Sequence, residues 1–103
     1  MSTGCAPGRR DNVTFHFVNV NEDTYLTGAV LLRAGQMVLD IPGGYGPYLI
    51  VGEAIGHHYE GTNTVRGPCA PVNARWADVG GMFVGVWFEN AEEFLFSFEL
   101  PDS

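Results

Sequence analysis

Apolar and polar residues alternate along much of this chain, with the two-residue period of strands that bury one face. The clearest case is residues 72–100, where two alternating runs flank Gly80-Gly81. A glycine pair between two such runs is typical of a two-residue β-hairpin. A second reversal near Asn90-Ala91 would add a third strand, so we expect a three-stranded meander over the last third of the chain.

The two turns fix which residues of the meander lie opposite each other. The expected pairs are Val79 with Met82, Asp78 with Phe83, Trp76 with Gly85, Phe88 with Glu93, Trp87 with Phe94, and Phe83 with Phe98. In this register one face carries six bulky rings: Trp76, Phe83, Trp87, Phe94, Phe96 and Phe98. The other face is mixed and carries Arg75, Ala77, Val84, Val86, Phe88, Glu93, Leu95, Ser97 and Glu99. We expect the aromatic face to be buried.

The rest of the chain predicts more strands. Residues 12–20 alternate, and further strands are expected at 24–33, 36–41 and 48–60, with turns or loops at 21–23, 42–47 and 61–71. About seven strands, with turns roughly every ten residues, indicate an all-β fold, either a small antiparallel β-barrel or a sandwich.

A short helix over residues 24–38 is the main alternative to two of these strands. Leu26, Val30 and Met37 lie near helical spacing, but Gly28 and Gly35 disfavour a helix.

Several glycines lie inside the predicted strands, namely Gly28, Gly52, Gly56 and Gly85. A glycine within a strand destabilises it unless the chain must bend or another group must approach the backbone closely. Small barrels need such bends in order to close. The alternative interpretation is that these glycines leave volume for a ligand, and both stay open at this point.

Length and composition indicate one domain, comprising residues 12–103 after a loose arm at 1–11. Of the 103 residues, 46% are hydrophobic and 13% are aromatic, which is enough for a core. The net charge is −7, with five Arg and no Lys. Nucleic acids and anionic membranes would be repelled, so we expect neither as a partner. A neutral or cationic partner remains possible.

Cysteine usage bears on the cellular compartment. Cys5 and Cys69 are too few for a disulfide framework and match no metal-binding spacing, although pairing between them stays open. We expect no cofactor. No apolar run approaches the ~18 residues that a membrane span needs, and the start of the chain has no apolar segment typical of a signal peptide. These features predict a cytoplasmic protein.

Residues 57–60, His-His-Tyr-Glu, form the densest polar cluster. If they continue a strand, His58 and Glu60 share one face, and an imidazole and a carboxylate so placed could bind a metal ion. A third ligand would be required, and His16 is the only other histidine. The alternatives are hydrogen-bonded or solvated histidines and a histidine that acts as a general acid or base.

Glu53 is a single carboxylate among apolar residues. In one continuous strand it would share a face with Leu49, Val51, Ile55, His57 and Tyr59. If that face is interior, Glu53 is suited to proton transfer, with His57 and Tyr59 as further catalytic candidates. If the face is exterior, Glu53 is a solvated side chain.

Two classes of function follow from these patterns. The first is a binding or interaction module, with either an aromatic pocket lined by Trp76, Trp87 and Phe96 or a dimer surface. The pocket would suit a neutral or cationic small apolar ligand. The second is a small barrel enzyme, an isomerase, cyclase or hydrolase, that uses Glu53, His57 and Tyr59.

Self-association is expected because the meander has apolar residues on both faces. One domain of this size can bury only one of these faces, and the other face carries Val84, Val86, Phe88 and Leu95. Two-fold pairing is the commonest way to cover such a surface, so we expect a homodimer. The alternative is that the loop at 61–71 or a helix at 24–38 covers these residues within one molecule.

Overall fold

The computed structural model describes residues 8–42, 47–63, 72–89 and 91–101. Eight strands follow one another along the chain: β1 Gly8–Val18, β2 Asp23–Arg33, β3 Gln36–Ile41, β4 Tyr48–Ile55, β5 His58–Asn63, β6 Val72–Val79, β7 Met82–Glu89 and β8 Glu92–Phe98. Each strand pairs antiparallel with its neighbours in chain order, and β1 also pairs with β8. The sheet is therefore a closed barrel, and the described residues contain no helix.

The prediction of an all-β, small antiparallel barrel is confirmed, while the alternative helix at residues 24–38 is wrong. That segment forms β2 and β3, which pair from Ala29 with Asp40 to Arg33 with Gln36. Gly35 has a φ of 73° in the turn between them. This left-handed conformation suits glycine and reverses the chain where a helix would have to continue.

The barrel has one strand more than the sequence indicates. The segment 48–60, predicted as one strand with a kink, is divided into β4 and β5 by a turn at Gly56 and His57. Gly56 has a φ of 61°, so it reverses the chain and does not merely bend it. The predicted loop at 61–71 also begins later, because β5 continues to Asn63; residues 64–71 lie outside the described part.

The first strand begins at Gly8, earlier than the alternation starting at residue 12 indicates. Gly8–Asp11 thus belong to β1 and not to an arm, and residues 1–7 lie outside the described part. The pairing register shifts between Arg10 and Val13, and Asn12 has a φ of 59°. The sequence does not indicate this start, because residues 8–12 contain no apolar side chain and the β-bulge shifts the two-residue period before Val13.

The predicted register of the meander is confirmed in all six pairs. Its aromatic face points into the barrel, where five of the rings are buried and Phe94 is half-buried. Inward residues of β1 to β4 complete the core, including Phe15, Phe17, Leu39 and Ile50. The interior of the barrel is therefore occupied by its own side chains, as is usual for eight strands.

Two glycines allow the strands around Trp76 to pack. A Cβ on Gly52 would lie 2.4 Å from the six-membered ring of Trp76, so the indole occupies the space that a side chain would need. A Cβ on Gly85 would lie 1.9 Å from the backbone oxygen of Arg75. At these glycines a ring or a neighbouring strand approaches the backbone closely. This favours close packing, rather than volume for a ligand, as the reason for glycine at these positions. Trp76 also donates its Nε1–H to Met37 Sδ at 3.1 Å.

Replacing Trp87 by alanine should lower the free energy of unfolding by about 3–5 kcal/mol, because it removes a large ring from a packed core. Trp87 contacts Phe17, Tyr48 and Phe96 with ring centroids 4.9 to 5.6 Å apart. Urea unfolding measures the change. Val79→Ala, at an exposed strand end, is the control and should change the free energy by less than about 1 kcal/mol. A similar loss in both variants would contradict the buried position of Trp87.

Replacing Gly52 by alanine should destabilise the protein by about 1–3 kcal/mol, since the new methyl group overlaps the Trp76 ring. In a Trp76→Phe background the shorter ring leaves room, so the same change should have a smaller effect. A double-mutant cycle in urea measures this coupling. If the Gly52→Ala effect were equal in both backgrounds, contact with Trp76 would not be the reason for glycine at this position.

Candidate functional site

Glu53 lies on the outer face of β4. The inward residues of that strand are Tyr48, Ile50 and Gly52, and Glu53 alternates with them and is exposed. Its Oε2 accepts a hydrogen bond from Gln36 Nε2 at 2.6 Å. The condition for an acid–base role, an interior strand face, is therefore not met.

The other two catalytic candidates lie elsewhere. His57 is exposed in the turn between β4 and β5, whereas Tyr59 points inward and stacks on Trp76 with centroids 5.8 Å apart. The turn changes the alternation, so Tyr59 and Glu53 are on opposite faces of the sheet. The three candidates do not converge on one site.

The weak metal candidates, His58 and Glu60, do come together. Both lie on the outer face of β5, with His58 Nε2 2.8 Å from Glu60 Oε2. Within the described residues, however, no three His, Cys, Asp or Glu side chains are grouped closely enough to hold a metal ion. In this structure the pair forms a surface hydrogen bond.

Trp76, Trp87 and Phe96, the predicted pocket lining, are in contact with one another. Phe96 lies 6.0 Å from Trp76 and 5.6 Å from Trp87 between ring centroids, both in edge-on geometry. All three are almost completely buried. The rings thus form the centre of the core and pack in the arrangement that aromatic pairs prefer.

A shallow, open depression of about 590 Å³ lies on the outer face of β4 to β7. Its lining includes Val51, Glu53, Ile55, Glu60, Arg75 and Phe88. Glu60 lies directly opposite Glu53 on one side and Arg75 on the other. Like charges directly opposite each other are unfavourable. Arg75 forms no ion pair within the described residues.

Beside this depression is the surface that we call the β7–β8 strip, formed by Val84, Val86, Phe88 and Leu95. Val84, Phe88 and Leu95 are 40%, 39% and 58% exposed, and Val86 is half-buried. Val86 pairs directly with Leu95, so the side chains are contiguous. The strip continues to Val18, which is opposite Leu95 on β1. An apolar surface of this kind often marks an interaction site.

Opposite charges flank the β7–β8 strip. Arg75 lies opposite Val86 on the β6 side, and Glu93 lies opposite Phe88 on the β8 side. Both charged side chains are exposed. The strip is therefore an apolar centre with a positive and a negative edge.

A polar cluster at one end of the barrel interior was not found from the sequence. Tyr48 Oη donates to Glu89 Oε2 at 2.7 Å, and Trp87 Nε1 donates to Glu89 Oε1 at 3.0 Å. The alternation of β7 does place Glu89 on the same face as Trp87. Tyr48 is 41 residues from Glu89 along the chain, and no sequence pattern indicates their contact.

A second polar cluster lies on the outer face of β1 and β2. His16 Nε2 is 2.5 Å from Asp23 Oδ1, and its ring stacks on Tyr25 at 4.2 Å. Ser97 lies opposite His16 on β8. Within the described residues no hydrogen bond joins Ser97 to His16, and nucleophile activation would require one. The cluster is a hydrogen-bonded His16–Asp23 pair at the surface, and the His16 ring stacks on Tyr25.

No family model matches the chain, and no curated protein or solved structure matches it. The described part of the chain contains no helix that is long and apolar enough to cross a membrane.

Glu53→Gln should leave the free energy of unfolding unchanged or raise it by up to about 1 kcal/mol, because it removes the repulsion with Glu60. The amide oxygen can still accept from Gln36. Glu99→Gln is the matched control, since Glu99 is exposed just beyond the end of β8 and has no like charge paired opposite it among the described residues. Urea unfolding measures both variants. A loss above about 1 kcal/mol for Glu53→Gln would show a structural role that its exposed position does not explain.

Proposed function

We propose that this protein is a non-catalytic interaction module that binds a second copy of itself through the β7–β8 strip. The main support is that these apolar side chains are exposed on strands whose other face forms the core. Removal of apolar surface from water is the dominant favourable contribution in most protein–protein association. A partner that covers Val84, Phe88 and Leu95 would gain this energy.

The charges at the edges of the strip favour a second copy as the partner. A two-fold axis parallel to β7 exchanges the two edges, so Arg75 of each molecule would face Glu93 of the other. Such self-complementarity is what an interface between identical surfaces requires. Arg75 forms no ion pair within the described residues, so it need not break one to make this contact.

The alternative, a small barrel enzyme, has less support. Glu53 is on the outer face, Tyr59 is on the inner face and His57 is in a turn, so no substrate could contact all three together. We also propose a cytoplasmic location, because two cysteines do not make a disulfide framework of the kind that secreted small domains use.

Leu95→Glu should shift the protein from dimer to monomer, because it would place an unpaired carboxylate inside the contact. Sedimentation at tens of micromolar protein should give a mass of about 22 kDa for the dimer, against 11.2 kDa for one chain. We expect at least about a tenfold rise in the dissociation constant. Val20→Glu, at a residue that is 98% exposed outside the strip, is the control and should not weaken the dimer.

A charge-reversal series tests whether the two copies are oriented so that Arg75 of one faces Glu93 of the other. Arg75→Glu and Glu93→Arg alone should each weaken association by about two- to fivefold, and the double variant should restore it. A wild-type protein that sediments only as an 11.2 kDa species would contradict the proposal. Dimerisation that is insensitive to both Leu95→Glu and the reversals would place the interface elsewhere.

A further inference from the structure

The carboxylate of Glu89 is held in a fixed position at one end of the barrel interior. Each of its oxygens accepts one hydrogen bond, from Tyr48 Oη at 2.7 Å and from Trp87 Nε1 at 3.0 Å. Tyr48 is 3% exposed and Trp87 is 1% exposed, so both donors are anchored in the core. Glu89 itself is half-buried and retains access to solvent.

Among the described residues, the carboxylate of Glu89 has hydrogen-bond donors but no counter-ion. Both donors are neutral, and no Arg or His of the described residues lies within ion-pair distance of Glu89. Glu92 lies directly opposite Glu89 on β8 and adds a second negative charge. A carboxylate has about four lone-pair sites, of which the two donors use two. The end of the barrel therefore has negative charge and free accepting capacity.

Apolar ring surface adjoins this charge. Phe94 points inward directly opposite Trp87 and is only half-buried, so part of this residue remains accessible to solvent. Because Glu89 lies directly opposite Glu92, Phe94 is a diagonal neighbour of Glu89. Long side chains at diagonal positions can reach each other. Negative charge next to an aromatic ring is the combination that recognises alkylated ammonium groups.

We propose that the end of the barrel interior at Glu89, Trp87 and Phe94 binds a small organic cation, an ammonium group with apolar substituents. The carboxylate attracts the positive charge, while Phe94 contacts the apolar substituents. This inference does not depend on the proposed dimer, because Glu89 faces the interior and the β7–β8 strip faces outward. The two ideas can therefore fail separately.

The test compares choline with 3,3-dimethyl-1-butanol, which has the same shape without the charge. Amide and indole N–H signals are followed by NMR during titration, with Trp87 Nε1–H as the reporter. Trp76 Nε1–H, which is bonded to Met37 Sδ in the core, is the internal control. We expect choline to shift the Trp87 signal saturably and to bind at least about tenfold more tightly than the neutral alcohol.

Glu89→Gln should abolish choline binding or weaken it at least about tenfold, since the amide can still accept from one donor but carries no charge. Glu99→Gln removes the same charge from an exposed residue beyond the opposite end of β8 and should bind choline as the wild type does. If Glu89→Gln perturbs the fold, Tyr48→Phe keeps the carboxylate and should still bind choline. Equal responses to choline and the alcohol, or unchanged choline binding in Glu89→Gln, would overturn the inference, as would the absence of any Trp87 shift.

Discussion

The closed ring of eight strands must be filled by its own side chains, and the indole of Trp76 is central to how this is done. The ring lies against the bare backbone of Gly52 on β4, and its own strand packs closely on Gly85 of β7. Trp76 thus contacts bare glycine backbone on two strands, β4 through its ring and β7 through its backbone and Cβ. Because a barrel of this size has little spare interior volume, the remaining rings must pack around this contact.

Filling the interior in this way determines where partners can bind. The large rings contact one another at the centre of the barrel. Exposed apolar side chains therefore lie on the β7–β8 strip, and hydrogen-bonded polar side chains lie at the barrel end near Glu89. The proposed partner of the strip, a second copy, is large, and the contiguous apolar side chains of the strip match it. The barrel end suits a small one, because only part of Phe94 and of the carboxylate is accessible.

The meander could be predicted because local signals agreed: the glycine pair set the turn, and the alternation set the faces. Other features could not. A glycine such as Gly56 gives the same sequence signal whether it bends a strand or reverses the chain. The sequence therefore does not predict that residues 48–60 form two strands. The face of Glu53 could not be assigned, because both faces of β4 are rich in apolar residues. The contact between Tyr48 and Glu89 depends on barrel closure, which no local pattern encodes.

The closing seam between β1 and β8 differs from every other pair of strands. All other neighbours are adjacent along the chain, whereas the seam joins His16–Val18 to Leu95–Ser97 by three residue pairs. Closing a loop of roughly 80 residues costs about 2–3 kcal/mol more conformational entropy than closing a hairpin loop of about four. The hairpins can therefore form early and independently, and the seam should form last during folding. Native-state opening should begin there, so amide protons along β1 and β8 should exchange with solvent before those of β3 and β4.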